Sequence, residues 1–158
     1  MSRTLVAYFS ATGRTKGAAV QLAKAAGARL YEIVPETPYE KADLNWMDKH
    51  SRSTLEMNDK SSRPAIAGEL PDAAEFDTLF VGFPIWWYTC RAIIRTFLEG
   101  MDLSGKTVVP FATSGSSGID KAAAEMARYA TGAKIAAGRM LNGSHSDSEL
   151  AAWVAEIG

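Results

Sequence analysis

The chain has 158 residues and a mass of 17.0 kDa, which is enough for one globular domain with a buried core and too little for two. Hydrophobic residues make up 47% and charged residues 22%, so disorder, collagen-like repeats and coiled coils are excluded. The 17 basic and 18 acidic side chains give a net charge of -1, which provides no general attraction for nucleic acid or an anionic membrane.

Cysteine and histidine are too few for a disulfide framework or a zinc-type cluster. Cys90 has no second cysteine to pair with, and His50 and His145 add only two ligands, so we expect no metal site. The segment Met1 to Ser10 lacks the apolar length and cleavage site of a secretory signal. The longest apolar stretch, Leu79 to Tyr88, is far below membrane-spanning length, and we expect a cytoplasmic protein without a membrane partner.

The first half of the chain begins with a strand-loop-helix pattern. The mostly apolar run Arg3 to Phe9 predicts a first strand, and the alanine-rich segment Arg14 to Ala26 predicts a first helix. A second strand is predicted at Ala28 to Val34, which ends before Pro35. The long connection that follows carries a ragged helical stripe over Asp43 to Asn58, where we predict a second helix.

The same alternation continues through the middle of the chain. A third strand is predicted at Thr78 to Phe83, followed by a helix whose apolar positions lie between Ile93 and Leu98 and which stops at Gly100. The β-branched run Lys106 to Ala112 predicts a fourth strand. The alanine-rich segment Ile119 to Ala130 predicts the next helix.

The C-terminal part has a weak strand pattern and a clear helix start. A fifth strand is predicted near Lys134 to Met140. Ser146 and Glu149 then form a capping box ahead of a helix with one apolar face, formed by Leu150, Trp153, Val154 and Ile157.

Five strands that alternate with five helices predict an α/β fold. Right-handed crossovers make a parallel sheet with helices on both faces, a three-layer sandwich, the expected architecture for one domain over residues 1–158. Ligands of such sheets bind at the carboxyl ends of the strands, so the loops after strands one, three and four should converge. Pro110 conflicts with this pattern locally, because a missing N–H suits only a bulge or a position near a sheet edge.

The loop after the first strand has the composition of an anion site. Its hydroxyls and backbone N–H groups precede the first helix, whose dipole favours a phosphate dianion at that end. Helix capping without a ligand explains the same composition. The residues concerned are Ser10, Ala11, Thr12, Gly13, Arg14 and Thr15.

The loops after the third and fourth strands suit a flat ligand. Trp86, Trp87 and Tyr88 cannot all point into one core, so at least one of the rings should cover a ligand, unless the rings serve helix packing or a subunit contact. The segment Thr113 to Gly118 contains glycines that let the backbone approach a ligand edge, although alone it is an ordinary flexible loop.

Taken together, these motifs resemble the flavodoxin family over nearly the whole chain. The phosphate-loop pattern is S-A-T-G-R-T, and further similar segments are S-R-S-T-L-E-M-N-D-K-S-S-R-P, G-F-P-I-W-W, T-F-L-E-G-M-D-L-S-G-K-T and P-F-A-T-S-G-S-S-G. The resemblance implies a flavodoxin-like sandwich with a five-stranded parallel sheet in the order 2-1-3-4-5. It also implies bound FMN, electron exchange with a redox partner protein, and a monomer or weak dimer.

The resemblance also implies a role for each loop. The phosphate would be held by Ser10, Thr12, Gly13, Arg14 and Thr15. One side of the isoalloxazine would be flanked by Pro84, Ile85, Trp86 and Trp87, and the other side closed by Thr113, Ser114, Gly115, Ser116 and Gly118.

An NAD(P)H-dependent quinone or flavin reductase of the same fold is the alternative function, favoured by the near-neutral charge and the wide aromatic loop.

Two other functions are rejected. The segment Gly100 to Thr107 matches the nucleotide P-loop letter for letter, but it follows a predicted helix and opens a strand, the reverse of a true P-loop. A serine hydrolase built from Ser114 or Ser116 with His145 and Asp120 or Asp147 lacks the G-x-S-x-G elbow.

Overall fold

A computed structural model describes residues 4–9, 14–34, 66–71, 75–84, 92–113, 120–130, 132–136, 138–141 and 146–157. The strands within these residues are β1 (Thr4–Tyr8), β2 (Arg29–Glu32), β3 (Thr78–Pro84), β4 (Thr107–Thr113), β5 (Lys134–Ile135) and β6 (Arg139–Met140). The helices are α1 (Arg14–Ala26), α2 (Ala92–Glu99), α3 (Asp120–Tyr129) and α4 (Asp147–Ile157). The helix predicted at Asp43 to Asn58 lies outside the described residues.

The strands form one parallel sheet in the order β2-β1-β3-β4-β5. This order confirms the predicted arrangement 2-1-3-4-5. The fifth strand differs from its prediction, because Lys134 to Met140 forms two short strands, β5 and β6, that pair with β4 at successive positions. Since β3 occupies the other side of β4, β5 and β6 together take the place of one edge strand.

Side chains alternate between two buried faces of the sheet. Along β1, Leu5 and Ala7 belong to a core that includes residues of α2 and α3, whereas Val6 and Tyr8 belong to a core that includes residues of α1 and α4. Successive strand residues point to opposite faces, so each pair of helices covers one side of the sheet. The three-layer sandwich expected from the sequence is confirmed. We refer to the side covered by α1 and α4 as the α1 face.

The interrupted edge strand explains how Pro110 fits inside a central strand. The carbonyls of Val108 and Ala112 accept hydrogen bonds from the N–H groups of Ala136 (2.9 Å) and Leu141 (2.7 Å). Alternate residues of a strand direct their backbone polar groups to the same neighbour, so the nitrogen of Pro110 faces that edge too. It faces the interruption between β5 and β6, so the missing N–H lies where the described pairing of β4 is itself broken.

The C-terminal helix begins as its capping sequence predicts. The Glu149 N–H donates to the Ser146 hydroxyl oxygen at 3.1 Å, which satisfies one of the free N–H groups in the first turn of α4. Leu150 and Trp153 are buried on the α1 face, and Trp153 packs edge-on against Phe80 with ring centroids 5.3 Å apart. These contacts fix α4 on the sheet.

Candidate functional site

The carboxyl ends of β1, β3 and β4 lie side by side. Tyr8 pairs with Gly82, and Gly82 in turn pairs with Phe111, so three adjacent strands end at nearly the same level. The chain passes from β1 to β2 on one side and returns to β3 on the other. In α/β sheets, the carboxyl edge at such a reversal is where ligands bind.

Backbone hydrogen bonds continue past the strand ends at this edge. The Phe9 N–H donates to the Gly82 carbonyl at 2.9 Å, and the Ile33 N–H donates to the Tyr8 carbonyl at 2.7 Å. The chain leaving β1 is therefore held from both sides just before the predicted anion loop, which starts at Ser10. A fixed exit is what a loop needs if its N–H groups are to converge on one anion.

Two buried threonines meet at the same edge. Thr15 lies in the first turn of α1 and is 2% exposed, and Thr113 is the last residue of β4 and is 3% exposed. Their hydroxyl oxygens are 2.7 Å apart, within hydrogen-bond distance. The hydroxyl pair therefore joins the start of α1 to the carboxyl end of β4. These are the elements next to the predicted phosphate loop and next to the glycine-containing segment that begins at Thr113.

The charge at the start of α1 suits an anion. The first turn contains no acidic residue, and Lys16 is exposed next to Thr15. The partial positive charge of the helix N-terminus adds to the charge of the Lys16 ammonium, and no carboxylate within the first turn opposes them. The arrangement favours a phosphate over a cation at this position.

Tyr8 borders the site on the β2 side. Burial raises the pKa of its phenol above the ordinary value of 10.0, and the nearby Glu32 raises that pKa further through its charge and a hydrogen bond. The two residues are register partners across β1 and β2. The Tyr8 phenol therefore keeps its proton to a higher pH than a free tyrosine does.

Only part of the predicted site lies within the described residues. The structure brings Thr15 and Thr113 together, begins α1 at Arg14 and ends β3 at Pro84. The other predicted residues are outside the described part of the chain: Ser10, Thr12, Gly13, Ile85, Trp86, Trp87, Ser114, Gly115, Ser116 and Gly118. Their roles stay predictions.

Sequence reasoning missed the contact between the two threonines, which it had assigned to opposite ends of the ligand. Strand periodicity contained part of the signal, because Thr113 shares its side of β4 with Phe111, a residue of the α1 face. Helix periodicity likewise turns Thr15 inward with Leu22. Neither periodicity predicts that α1 begins at the level where β4 ends, which is what brings the two hydroxyls together.

The segment Gly100 to Thr107, which matches a P-loop, has a structural role. It leads from α2 into the amino end of β4, so the predicted reversal of P-loop context is confirmed. Lys106 donates from its ammonium to the Phe76 carbonyl at 2.8 Å, and Asp102 accepts a hydrogen bond from the Ser104 N–H at 3.1 Å. These bonds hold a turn at the sheet edge opposite to the candidate site.

Metal-ligand clusters and membrane-spanning helices are both absent from the residues that the structure describes. No group of three or more histidine, cysteine, aspartate or glutamate side chains among them is placed to hold a metal ion. None of the described helices has both the length and the apolar character needed to cross a membrane.

Comparison with known proteins agrees with the fold. The family model described as Flavodoxin matches residues 3–157, so the chain belongs to the flavodoxin family. Comparison with curated proteins found no match.

Three solved structures illustrate the similarity. A putative flavoprotein from Bacteroides uniformis is 49% identical, with 98% of each chain covered and a TM-score of 0.91. A putative flavoprotein from Bacteroides eggerthii is 46% identical over 99% of this chain and 98% of that one, with a TM-score of 0.93. A flavoprotein from Lactobacillus acidophilus, solved in complex with FMN, shares the fold at 23% identity, with 97% and 99% of the chains covered and a TM-score of 0.74.

Proposed function

We propose that the chain is an FMN-binding electron-transfer protein, folded as one domain over residues 1–158. The observation that carries the proposal is the buried hydroxyl pair of Thr15 and Thr113 at the start of α1, at the carboxyl edge where the strand order reverses. Bound FMN would supply a ring that accepts and donates electrons, and the protein would position it and tune its surroundings.

The phosphate end of the ligand has the stronger support. A phosphate dianion needs several donors and a positive potential, and the first turn of α1 offers the Thr15 hydroxyl, backbone N–H groups and an exposed Lys16. The predicted loop residues Ser10, Thr12 and Gly13 would complete the cradle. The positive potential of the helix N-terminus and Lys16 makes this donor set fit a phosphomonoester.

The ring end is supported by family membership and by the Lactobacillus acidophilus relative that is in complex with FMN. Pro84 to Trp87 would lie on one side of the isoalloxazine, and the segment that follows β4, up to Gly118, would enclose the other. The described ends of β3 and β4 are adjacent, because Pro84 and Thr113 are register partners. Loops that leave from neighbouring strand ends can border one flat ring.

The test of this proposal is the visible spectrum of the purified protein, followed by titration of the apoprotein with FMN and riboflavin. We expect a flavin spectrum and an affinity for FMN at least about tenfold above that for riboflavin, because charge-assisted bonds to the phosphate are lost with riboflavin. Equal affinities would contradict the phosphate assignment.

A second measurement separates a carrier from a reductase. Electron-carrier surfaces use charge to dock their partners, and the net charge of -1 gives this chain little of it, which is the observation that favours the reductase. Steady NAD(P)H oxidation in the presence of a quinone would indicate a reductase. Electron transfer only after addition of a partner reductase would indicate the proposed carrier.

A further inference from the structure

We propose that Thr113 is a positioning residue that acts through Thr15 and makes the site selective for phosphorylated flavin. This inference rests on the proposed function, since it concerns the same ligand. It differs from the role that the family resemblance implies, in which Thr113 closes one side of the isoalloxazine ring.

The direction of the Thr113 side chain is the first argument. Side chains of β4 alternate, and Val109 and Phe111 both belong to the core of the α1 face. Thr113 continues that series, so its hydroxyl points toward α1 and meets Thr15 at 2.7 Å.

The hydrogens of the pair are the second argument. Two hydroxyls carry two hydrogens, and the bond between them uses one. Either oxygen can be the donor, so the hydroxyl hydrogen that is not used in this bond can be that of Thr15 or that of Thr113. When Thr113 donates, the free hydrogen lies on Thr15, at the end of α1 where the helix dipole attracts an anion.

A bound phosphate would select this orientation. A hydroxyl that donates to an anion forms a stronger bond than one that donates to a neutral group, and its strength grows when the same oxygen also accepts a hydrogen bond. Thr113 would then donate to Thr15, and Thr15 would donate to the phosphate. Riboflavin ends in a hydroxyl group, so it offers no anion that could select the orientation.

The test compares FMN and riboflavin affinities of apoprotein variants. Thr113→Val keeps the shape of the side chain and removes its hydroxyl, so we expect FMN affinity to fall about three- to tenfold and riboflavin affinity to stay within about twofold. Thr113→Ser restores the hydroxyl and should restore FMN affinity. Thr107→Val, at the opposite end of β4 and on the same side of the strand, is the matched control and should change neither affinity.

A double substitution tests whether Thr113 acts through Thr15. Thr15→Val alone should weaken FMN about tenfold or more, because it removes the donor to the phosphate. Adding Thr113→Val to Thr15→Val should weaken FMN no further. Urea unfolding of each apoprotein shows that the variants fold and measures the stability that the hydroxyl pair contributes.

The possible results separate this inference from the proposed function. Equal FMN and riboflavin affinities in the unaltered protein would contradict the proposed function. A normal preference for FMN that Thr113→Val leaves unchanged would overturn the inference alone. A parallel loss of both affinities in Thr113→Val would also overturn it, and would indicate that Thr113 contacts the ring.

Discussion

The ring of Phe111 lies directly against the backbone of Gly82, its register partner across β3 and β4. A Cβ atom on Gly82 would overlap the Cζ and Cε atoms of that ring. Phe111 is buried, so its ring has no open space to move into. The glycine is therefore required by packing, two residues before the end of β3 and beside the candidate site.

We expect Gly82→Ala to destabilise the apoprotein by about 1–3 kcal/mol, because an added methyl group in a packed core forces the ring or the strand to shift. The free energy of unfolding in urea measures this. Gly17→Ala is the matched control. Gly17 lies in α1 with nothing near its missing side chain, so this change should stabilise the protein by about 0.5–1 kcal/mol.

The same pair offers a rescue experiment. Phe111→Leu removes the ring atoms that a residue-82 side chain would meet, at the cost of a cavity. The double variant Gly82→Ala with Phe111→Leu should lose less stability than the sum of the two single variants. Strict additivity would show that Gly82 is required for another reason.

The start of α4 provides a second prediction. Ser146→Ala removes the hydroxyl oxygen that accepts from the Glu149 N–H, and we expect a loss of about 0.5–2 kcal/mol in the free energy of unfolding. Ser148→Ala, an exposed position in the first turn of the same helix, should leave stability within about 0.5 kcal/mol. An equal loss in both variants would contradict the capping role of Ser146.

Alkaline pH should destabilise the fold through Tyr8. The pKa of its phenol is raised in the folded state, first by burial and then by Glu32, so the folded protein holds this proton more tightly than the unfolded chain. The resulting stability is complete below the unfolded pKa of 10.0 and is lost as the pH rises through the folded pKa. The measurement is the free energy of unfolding between pH 8 and about pH 11.

Two variants assign this alkaline effect to Tyr8. Tyr8→Phe removes the titrating group, so its stability should fall less steeply above pH 10 than that of the unaltered protein. Glu32→Gln removes the charge that contributes to the raised pKa, and its decline should be intermediate. Identical pH dependence in all three proteins would show that other groups control the alkaline loss.

The sequence predicted the elements wherever local pattern determines them. The segment Arg14 to Ala26 forms a helix with the predicted bounds, and Ser146 caps α4, because helix period and capping chemistry are properties of neighbouring residues. Strand bounds differ from their predictions by one or two residues at β1 and β2. The alternation of elements also predicted the layers and the site edge.

Contacts between distant segments were less accessible to sequence reasoning. Thr15 and Thr113 are 98 residues apart, and their meeting depends on the height of α1 relative to β4. The interruption between β5 and β6 was not predicted either, although Pro110 indicated that something beside β4 was irregular. Proline does indicate an irregular position or a sheet edge, but it does not predict which strand beside β4 is interrupted.

The final prediction is that the aromatic loop contacts the flavin ring, with Trp86 the first candidate. Trp86 stands two residues after Pro84, which ends β3 at the carboxyl edge of the sheet. A flat ring stacked on an aromatic side chain gains about 1–3 kcal/mol, so Trp86→Ala should weaken FMN about tenfold and shift its potential. It should also raise flavin fluorescence, because a stacked indole quenches the flavin.

Trp153 is the control for this prediction. It is 5% exposed, lies on α4 and packs against Phe80, and the guanidinium of Arg139 lies 5.8 Å from its ring centre. Trp153→Phe should therefore lower the free energy of unfolding and leave flavin affinity unchanged, because its ring serves the core of the α1 face. If Trp86→Ala and Trp87→Ala both left affinity, fluorescence and potential unchanged, the loop rings would belong to packing or a subunit contact, and the stacking prediction would be wrong.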